Sequence, residues 1–291
     1  MSQEREMPEV NVIAIAAGTV VCFISGFIWF GPATFYPTWW RLMGKTTKDV
    51  PGGGLNMGIA FGSVLVGQIL QVTVLALILS ALQVAAPIDG RRSPPVLMLH
   101  PNPTGGGMMD SHIFKKAANR LPSMTGITIV RFNTRGTSSE AGTSTGVYDN
   151  GDSEKFDIEA MINYCFDQLK IEELWVCGWS FGTDLAIRHA RDPRIKGLIL
   201  LSPPLKYSQE SDLDFWVNDP RPITALIPEF DDYLVPEEAR KRFAKIKHMK
   251  LIAVDGGKHL WVGEPAVHIV LTEITRVIAP ERLPLTQEIE D

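Results

Sequence analysis

The sequence predicts an α/β domain, a mostly parallel sheet flanked by helices, preceded by an N-terminal transmembrane helical hairpin. Three observations lead there. From Val96 onward, short continuously apolar runs alternate with amphipathic ones. Before that, two stretches, Val10 to Trp40 and Pro51 to Ile88, contain no charged residue. One of the short runs, Leu174–Cys177, leads straight into Gly178-Trp179-Ser180-Phe181-Gly182 and then into a helix-like segment. Averages over the 291 residues (45% hydrophobic, 21% charged, formal net charge −5) conceal this bipartite layout. The mild acidity gives no support to nucleic-acid binding, which shows as a basic face or stripe. Cys22, Cys165 and Cys177 are too few for a disulfide framework and wrongly spaced for zinc. The expectation is buried thiols in a reducing compartment, with no metal and no cofactor.

Residues 1–90 read as a membrane segment with helices over about 11–31 and 55–85. A cleaved signal is disfavoured, because the residues before the first run are acidic and no small-x-small cleavage site follows it. Trp29, Tyr36, Trp39 and Trp40 cluster where an interfacial aromatic belt would sit. In the second run Gly58, Gly62 and Gly67 offer small positions for close helix packing. Its Gln68, Gln71 and Gln83 are polar but uncharged. The expected partner of this segment is the lipid bilayer, that of the cell membrane, in a multi-pass arrangement with the remaining chain on the cytoplasmic side. The basic residues balance, however: Arg41, Lys45 and Lys48 in the loop against Arg5, Arg91 and Arg92 outside it, which leaves orientation open. Asn11, Ser25-Gly26-Phe27-Ile28-Trp29-Phe30-Gly31-Pro32, Phe35, Trp40 and Gly44 together resemble the first half of a family of small bacterial multi-pass membrane proteins of unknown function. That resemblance implies a membrane location and no chemistry.

After the breaker-rich linker Ala86–Pro95, residues 91–280 form the second domain, followed by a polar tail at 281–291. Strands are expected at Val96–Leu99, Ile127–Phe132, Leu174–Cys177, Leu198–Leu201, Ile223–Ile227 and Leu251–Val254, each predominantly apolar as in strands covered on both faces. Ile158, Met161, Ile162, Cys165, Phe166 and Leu169 make one buried helical stripe. Pro236-Glu237-Glu238 opens another helix, with proline in the first turn and acids at the positive dipole end. Pro265 to Ile278 is a third. Strands alternating with helices mean right-handed parallel crossovers, so chemistry should gather at the carboxyl ends of the strands.

Ser180 then sits where a strand turns sharply into a helix, with glycines two before and two after it. A serine hydroxyl needs a base to take its proton. Among six histidines, His112, His189 and His268 fall in expected helices and His248 at a helix-to-strand junction. His259, on the glycine-preceded loop after the last strand, is the expected base. The acid lies in the loop after Ile223–Ile227, where Asp231 and Asp232 both fit and Asp231 is favoured by its offset from Pro228. Two N–H donors should receive the oxyanion: the backbone of Phe181, and that of Asn102 in the His100-Pro-Asn-Pro-Thr-Gly-Gly-Gly107 loop. Pro101 has no N–H to offer. The loop lacks the lysine and spacing of a phosphate cradle, and His100 is expected to orient it rather than react.

His100-Pro-Asn-Pro, Gly105-Gly-Gly-Met-Met-Asp110, Arg131-Phe-Asn-Thr-Arg-Gly136 and Gly178-x-Ser180-x-Gly182, followed by the acid and histidine loops, resemble a small α/β-hydrolase family of predicted serine hydrolases. The resemblance spans about residues 95–278 and implies Ser-Asp-His chemistry through an acyl-enzyme, without a large cap. Arg135-Gly136 resembles the family's structural Arg-Gly turn, while the family's opening strands have no counterpart before the linker. Pro203 to Arg221 is the only insert available as a cap, with Tyr207, Leu213, Phe215 and Trp216 as candidate pocket or membrane-contacting residues. The expected function is membrane-anchored hydrolysis of an ester, thioester or related acyl bond in a small substrate. The rival is a catalytically silent module of the same fold that binds a partner or ligand at a membrane. A transport role finds little support in two helices with no intramembrane charge.

Overall fold

The computed structural model describes residues 12–29, 36–46, 64–72, 82–87, 93–139 and 142–286. The chain divides into two units, one spanning Pro8–Ser80 and the other running from Ala81 onward. The first unit holds α1 (Val12–Trp29), α2 (Tyr36–Leu42) and α3, helical over 64–72. Within it Gly18 of α1 meets Val72 of α3, where an added Cβ would lie 3.1 Å from Val72 Cγ1. At Gly67, where close packing was expected, nothing lies within 4 Å of a Cβ among the described residues. Helix α1 leaves Val20, Val21, Ile24 and Ile28 exposed.

The expected membrane hairpin finds no support among the described residues, and the extent of its second helix is corrected. Eighteen residues of α1 rise about 27 Å, short of a hydrocarbon core of roughly 30 Å, and among the described residues no helix is long and apolar enough to cross a membrane. The second run is not one helix to residue 85, because Leu82–Ala85 is strand β1. That segment finds backbone partners along β3 (Ile127–Phe132), antiparallel, with Gln83 opposite Arg131. It also supplies an edge strand before the linker, where none was expected. The flanks of the two runs, including Asn11, Gly58, Gly62 and residues 73–81, lie outside the described residues, as do 88–92 of the linker and 287–291 of the tail.

The remaining elements follow in order: β2 (Ser93–Leu99), α4 (His112–Thr125), β3, the small ribbon β4 (Ser138–Ser139) and β5 (Gly142–Thr143), α5 (Glu154–Asn163), β6 (Leu174–Trp179), α6 (Phe181–His189), β7 (Ile195–Leu201), α7 (Glu210–Asn218), β8 (Ile223–Phe230), α8 (Pro236–Arg242), β9 (Lys250–Lys258) and α9 (Glu264–Ile278). The sheet order is β1-β3-β2-β6-β7-β8-β9, parallel except for β1. Successive side chains of one strand point to opposite faces, so β2 splits its burial: Leu97 and Leu99 join one core, Val96 and Met98 the other. Helices α4 and α9 cover the second face with Ile113, Phe114, Leu121, Val270 and Ile274. Helices α5 to α8 cover the first with Ile158, Leu185, Trp216 and Ala239.

The stripe from Ile158 to Leu169 packs on the first core as expected, but the backbone widens into a π turn over Tyr164–Gln168. Helix α7 is a crossover and not a cap. Leu213 and Trp216 are buried in the core, with the Trp216 indole N–H donating to the Ile187 carbonyl at 2.9 Å, which removes both from the candidate pocket residues. Cys165 and Cys177 are buried and Cys22 is exposed.

Candidate active site

Strand β6 is the central, fourth strand of the sheet and ends at Trp179, delivering Ser180 to the carboxyl edge of the sheet. Ser180 adopts φ 52, ψ −120, a left-handed region that an L-residue occupies only under strain, typically of about 1–3 kcal/mol. Its neighbours enforce the conformation. The Ser180 N–H donates to the Leu201 carbonyl at 2.9 Å, and the Ser180 carbonyl accepts from the Thr183 N–H and hydroxyl at 2.8 and 2.6 Å. The two flanking glycines answer to close backbone approach: a Cβ on Gly178 would fall 2.3 Å from the Gly182 oxygen, and one on Gly182 only 1.8 Å from the Leu99 oxygen.

The loops after β8 and β9 bring the acid and the imidazole to this serine. His259 Nε2 lies 2.9 Å from Ser180 Oγ, and His259 Nδ1 lies 2.9 Å from Asp231 Oδ2. The other Asp231 oxygen accepts the N–H groups of Tyr233 and Leu234 at 2.9 and 3.2 Å. Burial pushes the Asp231 carboxyl upward, but the hydrogen bond from His259 and those backbone donors outweigh it and hold it below the ordinary carboxylate range. An ionised carboxylate only accepts, so Nδ1 carries the imidazole proton and Nε2 turns its lone pair to the serine hydroxyl. Asp232, the alternative acid, is exposed and makes no bond to His259 among the described residues. The His259 carbonyl is fixed by the Trp179 indole N–H at 3.1 Å and the Ser202 hydroxyl at 3.2 Å, and Tyr233 packs on its ring at 4.7 Å. Trp179, Ser202 and Tyr233 were not singled out from the sequence. Only Trp179, inside the serine pentapeptide, offered any signal there.

Phe181 opens α6, so its N–H has no acceptor within the helix and points out of the positive end. Asn102 caps a 3-10 turn at Pro103–Gly105 through its side-chain oxygen, which accepts the Thr104 N–H at 2.9 Å. Above Phe181 stand two tyrosines: Tyr148 and Tyr207 pack edge-on against its ring at 5.4 and 5.5 Å, and the Tyr148 hydroxyl donates to that of Tyr207 at 3.2 Å. The buried Asp184 of α6 anchors the Tyr207 segment by accepting the N–H groups of Lys206 and Ser208. Of the candidates in the short insert, Tyr207 is the one whose ring packs on Phe181, the residue after Ser180.

The other histidines serve elsewhere. His112 bonds the Trp261 carbonyl at 3.1 Å and His189 that of Gly151 at 2.7 Å, while His248 is exposed and His268 half-buried. Among the described residues no cluster of His, Cys, Asp and Glu is arranged to hold a metal ion.

His100 is fully buried, and burial pulls its imidazole from the ordinary 6.5 down to about 4, against a smaller opposing hydrogen bond to Pro101. A histidine with a lowered folded-state value binds a proton in the unfolded chain first, so its contribution is intact above 6.5 and is lost as the pH falls toward 4. The loss amounts to about 3 kcal/mol. Urea unfolding of wild type and His100→Gln should therefore converge by about that amount between pH 6.5 and 4. A difference independent of pH over this range would contradict a buried neutral imidazole.

Residues 94–260 match the model of the α/β hydrolase fold, and residues 13–92 match a family described as protein of unknown function (DUF1761). No curated protein matches the chain. Among solved structures, an α/β serine hydrolase homologue from Coxiella burnetii aligns with TM-score 0.59 and 23% identity, covering 68% of this chain and 91% of that one. A member of the α/β serine hydrolases without lid from Xanthomonas campestris aligns with TM-score 0.57 and 23% identity, covering 70% and 90%. Est1E from Butyrivibrio proteoclasticus with bound ferulic acid aligns with TM-score 0.56 and 14% identity, covering 67% and 92%. At these identities the likeness is one of fold.

Proposed function

Because the chain belongs to the α/β hydrolase fold family through residues 94–260, we propose that it is a serine hydrolase cleaving an ester, thioester or related acyl bond. The observation that carries the reading is the unbroken hydrogen-bonded line from Ser180 through His259 to Asp231, both contacts at 2.9 Å. In this reading Ser180 Oγ attacks the substrate carbonyl as His259 Nε2 takes its proton, and Asp231 stabilises the imidazolium that forms. The N–H groups of Phe181 and Asn102 receive the oxyanion. His259 then returns the proton to the leaving group, and water cleaves the acyl-enzyme by the same steps.

The substrate is small or presents a reachable end. Support comes from α7, the insert available as a cap, whose Leu213 and Trp216 pack into the core instead, and from the likeness to a hydrolase described as having no lid. Hydrolysis of a p-nitrophenyl acetate or butyrate series should exceed that of long-chain triacylglycerol, and activity confined to the latter would contradict an open site. With the short ester, Asp231→Asn should lower kcat by about 10⁴, whereas the exposed Asp232→Asn should stay within about twofold. The reverse pattern would move the acid to Asp232.

We further propose that the N-terminal unit holds the enzyme at the bilayer of the cell membrane, with the hydrolase unit on the cytoplasmic side. The exposed apolar side chains of α1 support it, as does the uncharged stretch from Val10 to Trp40. The full chain should sediment with membranes, and Val21→Asp with Ile24→Asp should weaken that association. A full chain recovered wholly in the supernatant would overturn the membrane placement.

A further inference from the structure

The loop after β2 carries a histidine whose two ring nitrogens are both engaged, one by the next residue, Pro101, and one by Thr134, 34 residues further along. The backbone N–H of Thr134 lies 3.1 Å from His100 Nε2. A backbone amide can only donate, so Nε2 must hold a lone pair, and in a neutral imidazole the hydrogen then sits on Nδ1. The Thr134 and Thr137 hydroxyls, 3.1 and 3.4 Å from the same nitrogen, are compatible with that assignment because either can donate. His100 Nδ1 in turn lies 2.7 Å from the carbonyl oxygen of Pro101 and donates to it.

That carbonyl belongs to the same peptide unit as the Asn102 N–H. The unit is planar and trans, so the carbonyl and the N–H point in opposite directions, and fixing the oxygen fixes the direction of the hydrogen. The other contacts of the loop press on the same unit. A Cβ at Gly107 would fall 2.2 Å from the Pro101 oxygen, so the returning chain packs against it with no room for a side chain. The Gly107 N–H donates to the Asn102 carbonyl at 2.9 Å. One strand over, Asn133 accepts the Met109 N–H at 2.8 Å and Arg131 donates to the Met109 carbonyl and to Asp110, both at 2.9 Å, so the end of β3 clamps both ends of the loop. Among the described residues the Asn102 N–H takes part in none of these bonds.

We infer that His100 is a positioning residue: held by Thr134 as the Nδ1–H tautomer, it pins the Pro101–Asn102 peptide so that the Asn102 N–H faces the oxyanion formed at Ser180. The inference rests on the hydrolase reading above. It assigns a purpose to the Arg131-Phe-Asn-Thr134 run, which presents Thr134 to the imidazole and anchors the loop from below. It also explains why a histidine is needed there, since the position demands an acceptor on one side and a donor on the other in a buried setting.

The test compares wild type with His100→Leu and His100→Asn on p-nitrophenyl butyrate, alongside inhibition by methylboronic acid, whose adduct with the serine mimics the tetrahedral anion. In His100→Leu, kcat should fall by about 10²–10³, with KM little changed and boronate affinity weakened by a similar factor. His100→Asn, which keeps an N–H donor toward the Pro101 carbonyl, should recover at least about tenfold of the loss. On wild type, nitrogen NMR of the imidazole should show Nδ1 protonated and Nε2 not, a readout that holds even where a variant fails to fold. Full kcat in His100→Leu, a loss carried by KM alone, or an Nε2–H tautomer would overturn the inference while leaving the hydrolase reading intact. A wild type that neither turns over the ester nor binds the boronate would instead overturn the reading beneath it.

Discussion

Replacing Ser180 or His259 with alanine is expected to lower kcat toward a short-chain ester by about 10⁶, each alone costing nearly as much as both together. The expectation follows from the way the two side chains depend on each other. The Ser180 hydroxyl has no other base at hydrogen-bond distance among the described residues than His259 Nε2, and without proton removal it is a weak nucleophile. The imidazole has no attacking group to serve once the hydroxyl is gone. Steady-state kinetics of the two single variants and the double variant provide the check. Near-additive losses, with the double variant falling as far again as either single one, would mean that the residues act independently. Folding should be little affected, because the Ser180 backbone is held by its own N–H and carbonyl, which alanine retains.

Gly182→Ala is expected to have the largest effect on stability. The new Cβ would stand 1.8 Å from the Leu99 carbonyl oxygen and 2.9 Å from that of His100. Both are backbone atoms, so no rotamer change relieves the overlap, and either α6 must withdraw or β2 must bend. Overpacking by one methyl commonly costs about 1–3 kcal/mol; here the collision involves an interior strand and the helix that follows Ser180, and we expect more than about 4 kcal/mol. The midpoint of urea unfolding measures it. Any folded fraction should also react poorly, since the shift displaces the Phe181 N–H from Asn102. A variant with an unchanged midpoint would show that α6 and β2 are not packed as described.

Much of the hydrolase unit was legible because its signals are local. Continuously apolar runs bounded by turns marked β3 and β6 to β9, and the glycine spacing around Ser180 marked the sharp turn that the close approach of Leu99 demands. The acid and histidine could be sought at strand ends by chain order alone. The sequence could not separate Asp231 from Asp232, since neighbouring residues in a loop differ only in where the backbone aims them. Leu82–Ala85 was read as the end of a membrane helix because a short apolar strand and a helix segment look alike in composition. What distinguishes them is the edge of β3, whose paired residues lie 44 to 50 positions further along the chain. Trp216 and Leu213 looked like pocket residues for a related reason: an amphipathic crossover and a small cap carry the same aromatic content. The role of His100 was half visible, as a histidine in a proline-rich loop. Its tautomer depends on the Thr134 N–H, a backbone group that no side-chain pattern reveals.

The most direct measurement is labelling by a fluorophosphonate probe, read by intact mass. Wild-type protein should gain one adduct, lost in Ser180→Ala and strongly slowed in His259→Ala, with the modified residue mapped to the peptide containing Ser180. Folded wild type that stays unlabelled, or labelling that persists in Ser180→Ala, would contradict the assignment of Ser180 as an activated nucleophile.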